Sequence, residues 1–91
     1  MSVKEKIKID FSTKKQTVNN NEIVLYNDDV NTFDYVIDTL VDVCEHTSEQ
    51  AEQCAILVHY KGKCVVKTGS LRDLKPKCSL LLSAGLSAEI V

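Results

Sequence analysis

The sequence predicts a small α+β domain, a two-layer sandwich with three helices on one face of a three-stranded antiparallel sheet. Apolar residues repeat at helical spacing in three segments, and three short apolar runs lie beside them. Residues typical of caps and turns separate these segments, whose order is strand, helix, helix, strand, helix, strand. Because a sheet and an amphipathic helix each bury one face, the segments should form two layers around one core.

The first strand is predicted over residues 22–26, where an Ile-Val-Leu run stops at the Asn-Asp-Asp triplet 27–29. Asparagine and aspartate favour turns because their side chains bond nearby backbone groups. Helix one should be capped by Asn31, with Asp34 in the capping-box position. Its apolar face is predicted to carry Phe33, Val36, Ile37, Leu40, Val41 and Cys44.

Helix two should begin at Thr47, with Gln50 completing a capping box, and His59 falls in its last turn. Gly62 suits the helix exit, because glycine adopts the left-handed backbone conformation without strain. Residues 63–68 then form the second strand.

Helix three should start at Ser70, with Asp73 three residues later, and end at Gly85. Pro76 lies inside this segment, so it should kink the helix or mark a later start. Residues 86–91 are short and apolar enough for a closing strand.

Length and charge narrow the function classes. The chain has 91 residues, which suits one domain, with a basic arm of net charge +3 over residues 1–20 and an acidic core of −5 over residues 21–91. The arm is expected to be flexible, and the acidic core should repel nucleic acid. No apolar run is long enough for a membrane span or a signal peptide, which predicts a cytoplasmic protein.

The cysteines do not form a metal site in the sequence. Residues 44, 54, 64 and 78 make no CxxC pair, and His46 and His59 do not complete a zinc pattern with them. We therefore expect reduced, mostly buried thiols that pack as small apolar residues, with no metal and no cofactor.

Two motifs resemble the ClpS adaptor family. The first is the Asn-Asp-Asp triplet between the first strand and helix one, and the second is VHYKGK at residues 58–63, where helix two ends. The resemblance runs without a gap over residues 21–68 and returns near Leu86. It implies a ClpS-like fold, which resembles the C-terminal domain of the ribosomal stalk protein, and an adaptor that is not an enzyme.

The resemblance also implies a site for the α-amino group of a protein's first residue. In ClpS proteins the asparagine, the next aspartate and the histidine bind this group, and here they are Asn27, Asp28 and His59, with Asp29 beside them. An amide oxygen, a carboxylate and an imidazole nitrogen can accept from the three donors of an ammonium. An apolar hole beside them should hold the first side chain, and the residues expected to line it are Asn31, Phe33, Val36, Ala55, Val58 and Leu86.

Three of these positions differ from the family pattern. Asn31 stands where a threonine is common, Phe33 replaces a methionine at the entrance, and Ala55 replaces a second methionine on helix two. Relative to the family, the side chain on helix one is larger and the side chain on helix two is smaller. The pocket should therefore keep a volume suited to a large apolar or aromatic residue but change shape. The preference among Leu, Phe, Tyr and Trp stays open.

The partners implied are substrates with such N-terminal residues, called N-degrons, and the N-terminal domain of a Clp AAA+ unfoldase of the ClpA or ClpC type. The chain is expected to act as a monomer. In the family, the docking surface includes an acidic residue and a lysine on helix three. Lys77 fits the lysine, whereas Arg72 occupies the acidic position, which leaves the identity of the unfoldase open.

Two other functions stay open. A metal-dependent hydrolase could use Asp28, Asp29 and His59 as ligands, but successive strand residues point to opposite faces, so both aspartates reach one ion only if the chain turns between them. A ClpS-like interaction domain could keep the fold while Phe33 closes the pocket. Such a domain would not bind a peptide with a free N-terminal Leu or Phe.

Overall fold

The structure is a computed structural model that describes residues 21–91, and the arm predicted over residues 1–20 lies outside the described residues. Six elements follow the predicted order. They are β1 (Asn21–Tyr26), α1 (Phe33–Cys44), α2 (Ser48–Lys61), β2 (Lys63–Gly69), α3 (Leu71–Ser83) and β3 (Ser87–Ile90).

The sheet has β1 at its centre, with β2 and β3 as antiparallel neighbours on either side. Strand residues alternate between the two faces, so Ile23 and Leu25 point together into the core and are fully buried. The helices cover this face, which confirms the predicted two-layer α+β fold. The buried residues that complete the core are Leu40, Cys44, Ala51, Val58, Val66, Leu74, Cys78, Leu81 and Leu86.

Helix α1 begins after a cap that differs from the predicted one. Thr32 is the N-cap, because its Oγ1 accepts a hydrogen bond from Tyr35 N at 3.1 Å. Asn31 instead uses its side-chain amide to contact Asp28 and the carbonyl oxygen of Gly85. The predicted cap at Asn31 is wrong because a contact 54 residues away in the sequence competes with local capping.

Helix α2 begins and ends as predicted. Thr47 and Gln50 form the reciprocal capping box, with hydrogen bonds of 2.9 and 3.1 Å. Gly62 closes the helix at a φ of +93°, in the left-handed region, and donates its N–H to Val58 O. This tight exit places His59 and the start of β2 close together.

Helix α3 runs unbroken through Pro76. Ser70 caps it, as the sequence indicates, and the helix continues to Ser83. Pro76 is exposed, while Leu74, Cys78 and Leu81 on either side of it are buried against the rest of the core. Packing on both sides of the proline keeps the two halves in one helix, although the ring removes one backbone donor.

Two lysines meet the C-terminal end of α1. Lys67 Nζ donates to Cys44 O at 3.1 Å, and Lys77 Nζ donates to Val43 O at 3.4 Å. Both ammonium groups also lie near the carboxylate of Glu45, at 3.6 and 3.9 Å. Positive charge at the carbonyl end of a helix stabilises it.

The four cysteines are free thiols. Cys44 and Cys78 are buried, and Cys54 and Cys64 are half-buried against the core. Burial raises the pKa of Cys44 and of Cys78, and burial followed by contact with Cys64 raises the pKa of Cys54 to about 12. These three thiols therefore stay protonated near neutral pH and pack as small apolar groups.

No helix within residues 21–91 combines the length and the apolar character needed to cross a membrane.

Candidate ligand-binding site

The strand register brings three loop segments to one end of the sheet. Tyr26, the last residue of β1, pairs with Lys63 at the start of β2 and with Ser87 at the start of β3. The residues next to these three positions therefore meet in space, although they lie far apart in the sequence. Asn27 N donates to Gly62 O at 2.9 Å, which fixes the loop after β1 against the end of α2.

Asp28 organises the loop between β1 and α1. Its Oδ1 accepts hydrogen bonds from the backbone N–H groups of Val30 and Asn31, both at 3.0 Å. The side-chain amide of Asn31 adds contacts to Oδ1 at 3.1 Å and to Oδ2 at 3.0 Å. A carboxylate has about four lone-pair sites, so Oδ1 is filled while Oδ2 can still accept.

These contacts keep the Asp28 carboxylate charged. Burial of the group acts to raise the pKa of Asp28, but the hydrogen bonds from Asn31 and Val30 outweigh it and hold the pKa below its usual value. The cavity therefore contains a fixed negative charge at neutral pH.

A cavity of about 40 Å³ opens beside this loop. It is lined by Asn27, Asp28, Asn31, Phe33, Val36, Ala55, Val58, His59 and Leu86, all of which the sequence proposed for the site, together with Leu25 and Tyr26. The structure thus brings these predicted residues together around one space. Their roles in binding stay predictions.

The cavity has a polar entrance and an apolar floor. Asn27 and His59 are exposed, whereas Ala55, Val58 and Leu86 are each 5% exposed or less. Within residues 21–91, neither the Asn27 side chain nor the His59 ring takes a hydrogen-bond partner, so both can accept from a ligand. The His59 ring packs edge-on against Tyr60, with ring centroids 4.8 Å apart.

The cavity is small. A volume of about 40 Å³ lies well below the roughly 150 Å³ of a protein cavity that holds benzene. Phe33 lies at the entrance as the first residue of α1, with 42% of its surface exposed.

Asp29 was predicted for this site but lies outside the cavity, and the two predicted docking residues, Arg72 and Lys77, lie on α3. Asp29 is exposed and does not line the cavity. Arg72 is exposed near the start of α3, and Lys77 is engaged at the end of α1. Among the described residues, Asp28, Asp29 and His59 do not form a set positioned to share a metal ion.

The sequence reasoning did not identify two lining residues, Leu25 and Tyr26. They are the last residues of β1, directly before the Asn-Asp-Asp triplet, so their position was the available signal. Desolvation, followed by a hydrogen bond to Glu89 and the charge of that carboxylate, raises the pKa of Tyr26. Tyr26 therefore keeps its hydroxyl proton at neutral pH.

Comparison with known proteins identifies the class of this domain. The family model described as ATP-dependent Clp protease adaptor protein ClpS matches residues 16–89. The ClpS of Acetivibrio thermocellus is 36% identical over 79 residues, which cover 87% of this chain and 76% of that protein. The chain belongs to the ClpS family, and is an adaptor of the ATP-dependent Clp protease.

Other relatives agree over shorter stretches. The ClpS of Nitratidesulfovibrio vulgaris is 33% identical over 55 residues, 58% of this chain and 55% of that protein. The ClpS of Campylobacter jejuni is 33% identical over 58 residues, 62% of this chain and 60% of that protein. The structure of Agrobacterium tumefaciens ClpS2 bound to L-phenylalaninamide has a TM-score of 0.74 at 19% identity and covers 81% of this chain and 96% of its own. This likeness supports the fold.

Proposed function

We propose that the chain is an N-degron adaptor, which binds the free α-amino group and the large apolar first residue of a substrate and delivers that substrate to a Clp AAA+ unfoldase. The observation behind this proposal is the cavity itself. Acceptor groups lie at its entrance and buried apolar side chains at its floor, so both features of an N-terminal residue have a matching surface.

The acceptors suit an ammonium group. The amide oxygen of Asn27, the open Oδ2 of Asp28 and a ring nitrogen of His59 can take the three protons of an α-amino group. The charge of Asp28 would strengthen the contact, because hydrogen bonds between charged partners are shorter and stronger than neutral ones. No covalent step is needed, so the proposed role is recognition only.

The first side chain would occupy the floor formed by Ala55, Val58 and Leu86. Phe33 would rotate to admit it, since the first residue of a helix has no preceding turn to hold its ring. The relative with the same fold, ClpS2, binds L-phenylalaninamide, a ligand that has a free amino group and an aromatic side chain. This supports the same ligand class here.

Delivery would use a second surface. The proposed partner is the N-terminal domain of an unfoldase of the ClpA or ClpC type, bound by a monomeric adaptor in the cytoplasm, where ATP is available. Arg72 is exposed and could contact that partner directly. Lys77 has less freedom, because its ammonium group lies between Val43 O and Glu45.

A second candidate function is favoured by the small cavity. If Phe33 stays where it is, the domain would keep the adaptor fold and bind the protease without reading N-terminal residues. Such a domain would contact partners only through its outer surface.

Fluorescence binding of peptides that differ only in residue one, each with a free or acetylated N-terminus, separates the two candidates. We expect Leu- or Phe-initiated peptides to bind only with a free amino group. Acetylation removes the charge and leaves acceptors unpaired at about 1 to 3 kcal/mol each, which is tenfold or more in affinity. Equal binding of free and acetylated peptides, or no binding of either, would rule the adaptor's proposed ligand out.

A further inference from the structure

The turn between α3 and β3 receives two hydrogen bonds from the start of α1. Tyr35 Oη donates to Ala84 O at 2.6 Å, and the side-chain amide of Asn31 donates to Gly85 O at 2.8 Å. The next residue, Leu86, is 4% exposed and lines the cavity. Two side chains of α1 and its preceding loop therefore hold the segment that presents one wall of the ligand site.

Asn31 connects this turn to the polar half of the site. Its amide nitrogen lies 2.8 Å from Gly85 O, 3.1 Å from Asp28 Oδ1 and 3.0 Å from Asp28 Oδ2. With two protons, the amide can give one to the turn and share the other between the two carboxylate oxygens. The orientation of the Asp28 carboxylate is thus tied to the position of the Leu86 wall.

The backbone of the turn depends on a glycine. Gly85 has a φ of +92°, in the left-handed region that residues with a side chain rarely adopt. The amides of Gly85 and Leu86 already donate to Leu82 O and Leu81 O, both at 3.0 Å. Asn31 and Tyr35 therefore hold the turn through its carbonyl oxygens, those of Gly85 and Ala84.

We propose that Asn31 and Tyr35 are positioning residues of the ligand site, in which Tyr35 fixes the Leu86 wall and Asn31 couples that wall to the Asp28 carboxylate. This inference rests on the N-terminal recognition proposed above. The two residues should have different consequences, because the Tyr35 hydroxyl donates to the turn, whereas the Asn31 amide donates both to the turn and to the Asp28 carboxylate.

Tyr35→Phe tests the wall. It removes one hydroxyl and keeps the ring, so we expect the affinity ratios among Leu-, Phe- and Trp-initiated peptides to change by about three- to tenfold, the scale of a small change in an apolar pocket. Thr39→Val is the matched control, because it also removes a hydroxyl that bonds a carbonyl oxygen on the same helix, Thr39 Oγ1 to Tyr35 O at 2.8 Å. If Tyr35→Phe shows the same affinity ratios as the parent and Thr39→Val, the Tyr35 hydroxyl does not position the Leu86 wall.

Asn31→Ala tests the coupling to Asp28. We expect free-amino peptides to lose affinity by about tenfold, with all first residues affected, because the carboxylate that meets the amine is no longer held. NMR titration should show a higher pKa for Asp28, because one of its hydrogen bonds is lost. Asn21→Ala is the control, since its amide likewise donates to a carbonyl oxygen, Val91 O at 3.2 Å, at the other end of β1.

Asn31→Thr provides a partial rescue. A hydroxyl has one proton, so it can donate to Asp28 or to Gly85 O but not to both. We expect Asn31→Thr to restore the affinity for the amine, while the Gly85 and Leu86 amides of the turn still exchange faster than in the parent. An unchanged affinity and an unchanged Asp28 pKa in Asn31→Ala would overturn the coupling.

Hydrogen exchange separates failure of this inference from failure of the proposed function. Faster exchange of the Gly85 and Leu86 amides is expected in Tyr35→Phe and Asn31→Ala, relative to Thr39→Val and Asn21→Ala. A parent that binds none of the peptides would overturn the N-degron function and with it the ligand-positioning role. A parent that binds normally while both variants keep parental exchange and parental affinities would overturn the positioning alone.

Discussion

The two ends of helix α1 are both tied to distant parts of the chain, one end by ammonium groups and the other by neutral side chains. At the C-terminal end, Lys67 and Lys77 donate to the last carbonyl oxygens and lie close to Glu45. At the N-terminal end, Asn31 and Tyr35 donate to the turn before β3. The first arrangement fills acceptors with cations of the chain itself, whereas the second leaves acceptors facing a cavity.

This difference places a stabilising contact at one end of the helix and the proposed ligand site at the other. At the C-terminal end, two cations of the protein neutralise the carbonyl groups of Val43 and Cys44. At the other end, hydrogen bonds from Val30 and Asn31 hold the Asp28 carboxylate and leave one of its oxygens open toward the cavity. A site whose acceptors are held in advance loses less conformational freedom on binding.

The largest expected effect separates two neighbouring aspartates. Asp28→Ala should weaken the binding of a free-amino Leu peptide by about a hundredfold, because it removes a charged hydrogen bond worth about 1.5 to 3 kcal/mol and releases the loop. Asp29→Ala should change affinity less than threefold, since Asp29 does not line the cavity. Equal losses in the two variants would mean that the loop acts through its total charge.

His59→Ala should have the next largest effect. It removes one of the proposed acceptors at the entrance, so we expect about a tenfold to thirtyfold loss for free-amino peptides. Parental affinity of His59→Ala at neutral pH would remove His59 from the proposed site.

Phe33→Ala tests the small cavity. Without the ring at the entrance, peptides with a β-branched first residue such as Ile or Val should gain about tenfold in affinity relative to Leu, the scale of a few methylene groups in an apolar pocket. Ala55→Met should fill the floor and penalise Trp before Leu. A large loss of thermal stability with unchanged relative affinities would make Phe33 a core residue, contrary to its 42% exposure.

The sequence predicted those features that depend on local pattern. The Thr47 and Gln50 capping box, the glycine exit at Gly62 and the three strand segments all follow from nearby residues. The cap of α1 was not predicted, because asparagine is the better N-cap locally but the Asn31 side chain is engaged by Gly85, 54 residues away, and Thr32 caps the helix. Neighbouring residues alone cannot predict a contact at that separation in the sequence.

The size of the cavity and the position of Lys77 were also beyond the sequence. Volume depends on the rotamer of Phe33, which residue type does not determine. Lys77 matched a docking position by its place in the sequence, but its ammonium group reaches the end of α1 through packing of α3. In the sequence, Pro76 predicts a kink or a later start of helix three. In the structure, tertiary packing on both sides of Pro76 keeps the helix continuous.

Lys77→Met sharpens the comparison at the C-terminal end. It keeps the apolar stem and removes the cation, so we expect a loss of about 0.5 to 1 kcal/mol in unfolding free energy and a melting temperature lower by a few degrees. Lys75→Met, on the exposed side of the same helix, is the matched control and should have little effect. Peptide affinity should stay parental in both, and a loss of peptide affinity in Lys77→Met would show that the two ends of α1 are not independent.

The smallest expected effect is a pH dependence from the N-terminal end. The pKa of Asp28 is lowered in the folded chain, so the stability contributed by this carboxylate is present above the ordinary carboxyl pKa of about 4 and is lost as the pH falls through the lower folded value. Solvent screens a group this accessible, so the change should be smaller than that of Lys77→Met. Thermal melts of the parent and Asp28→Asn from pH 7 to pH 2 would show it: the melting temperatures should differ at neutral pH and converge in acid, whereas Asp42→Asn, on the exposed side of α1, should follow the parent throughout. A constant gap between the parent and Asp28→Asn across this range would mean that the hydrogen bonds to Asp28, and not its charge, hold the loop.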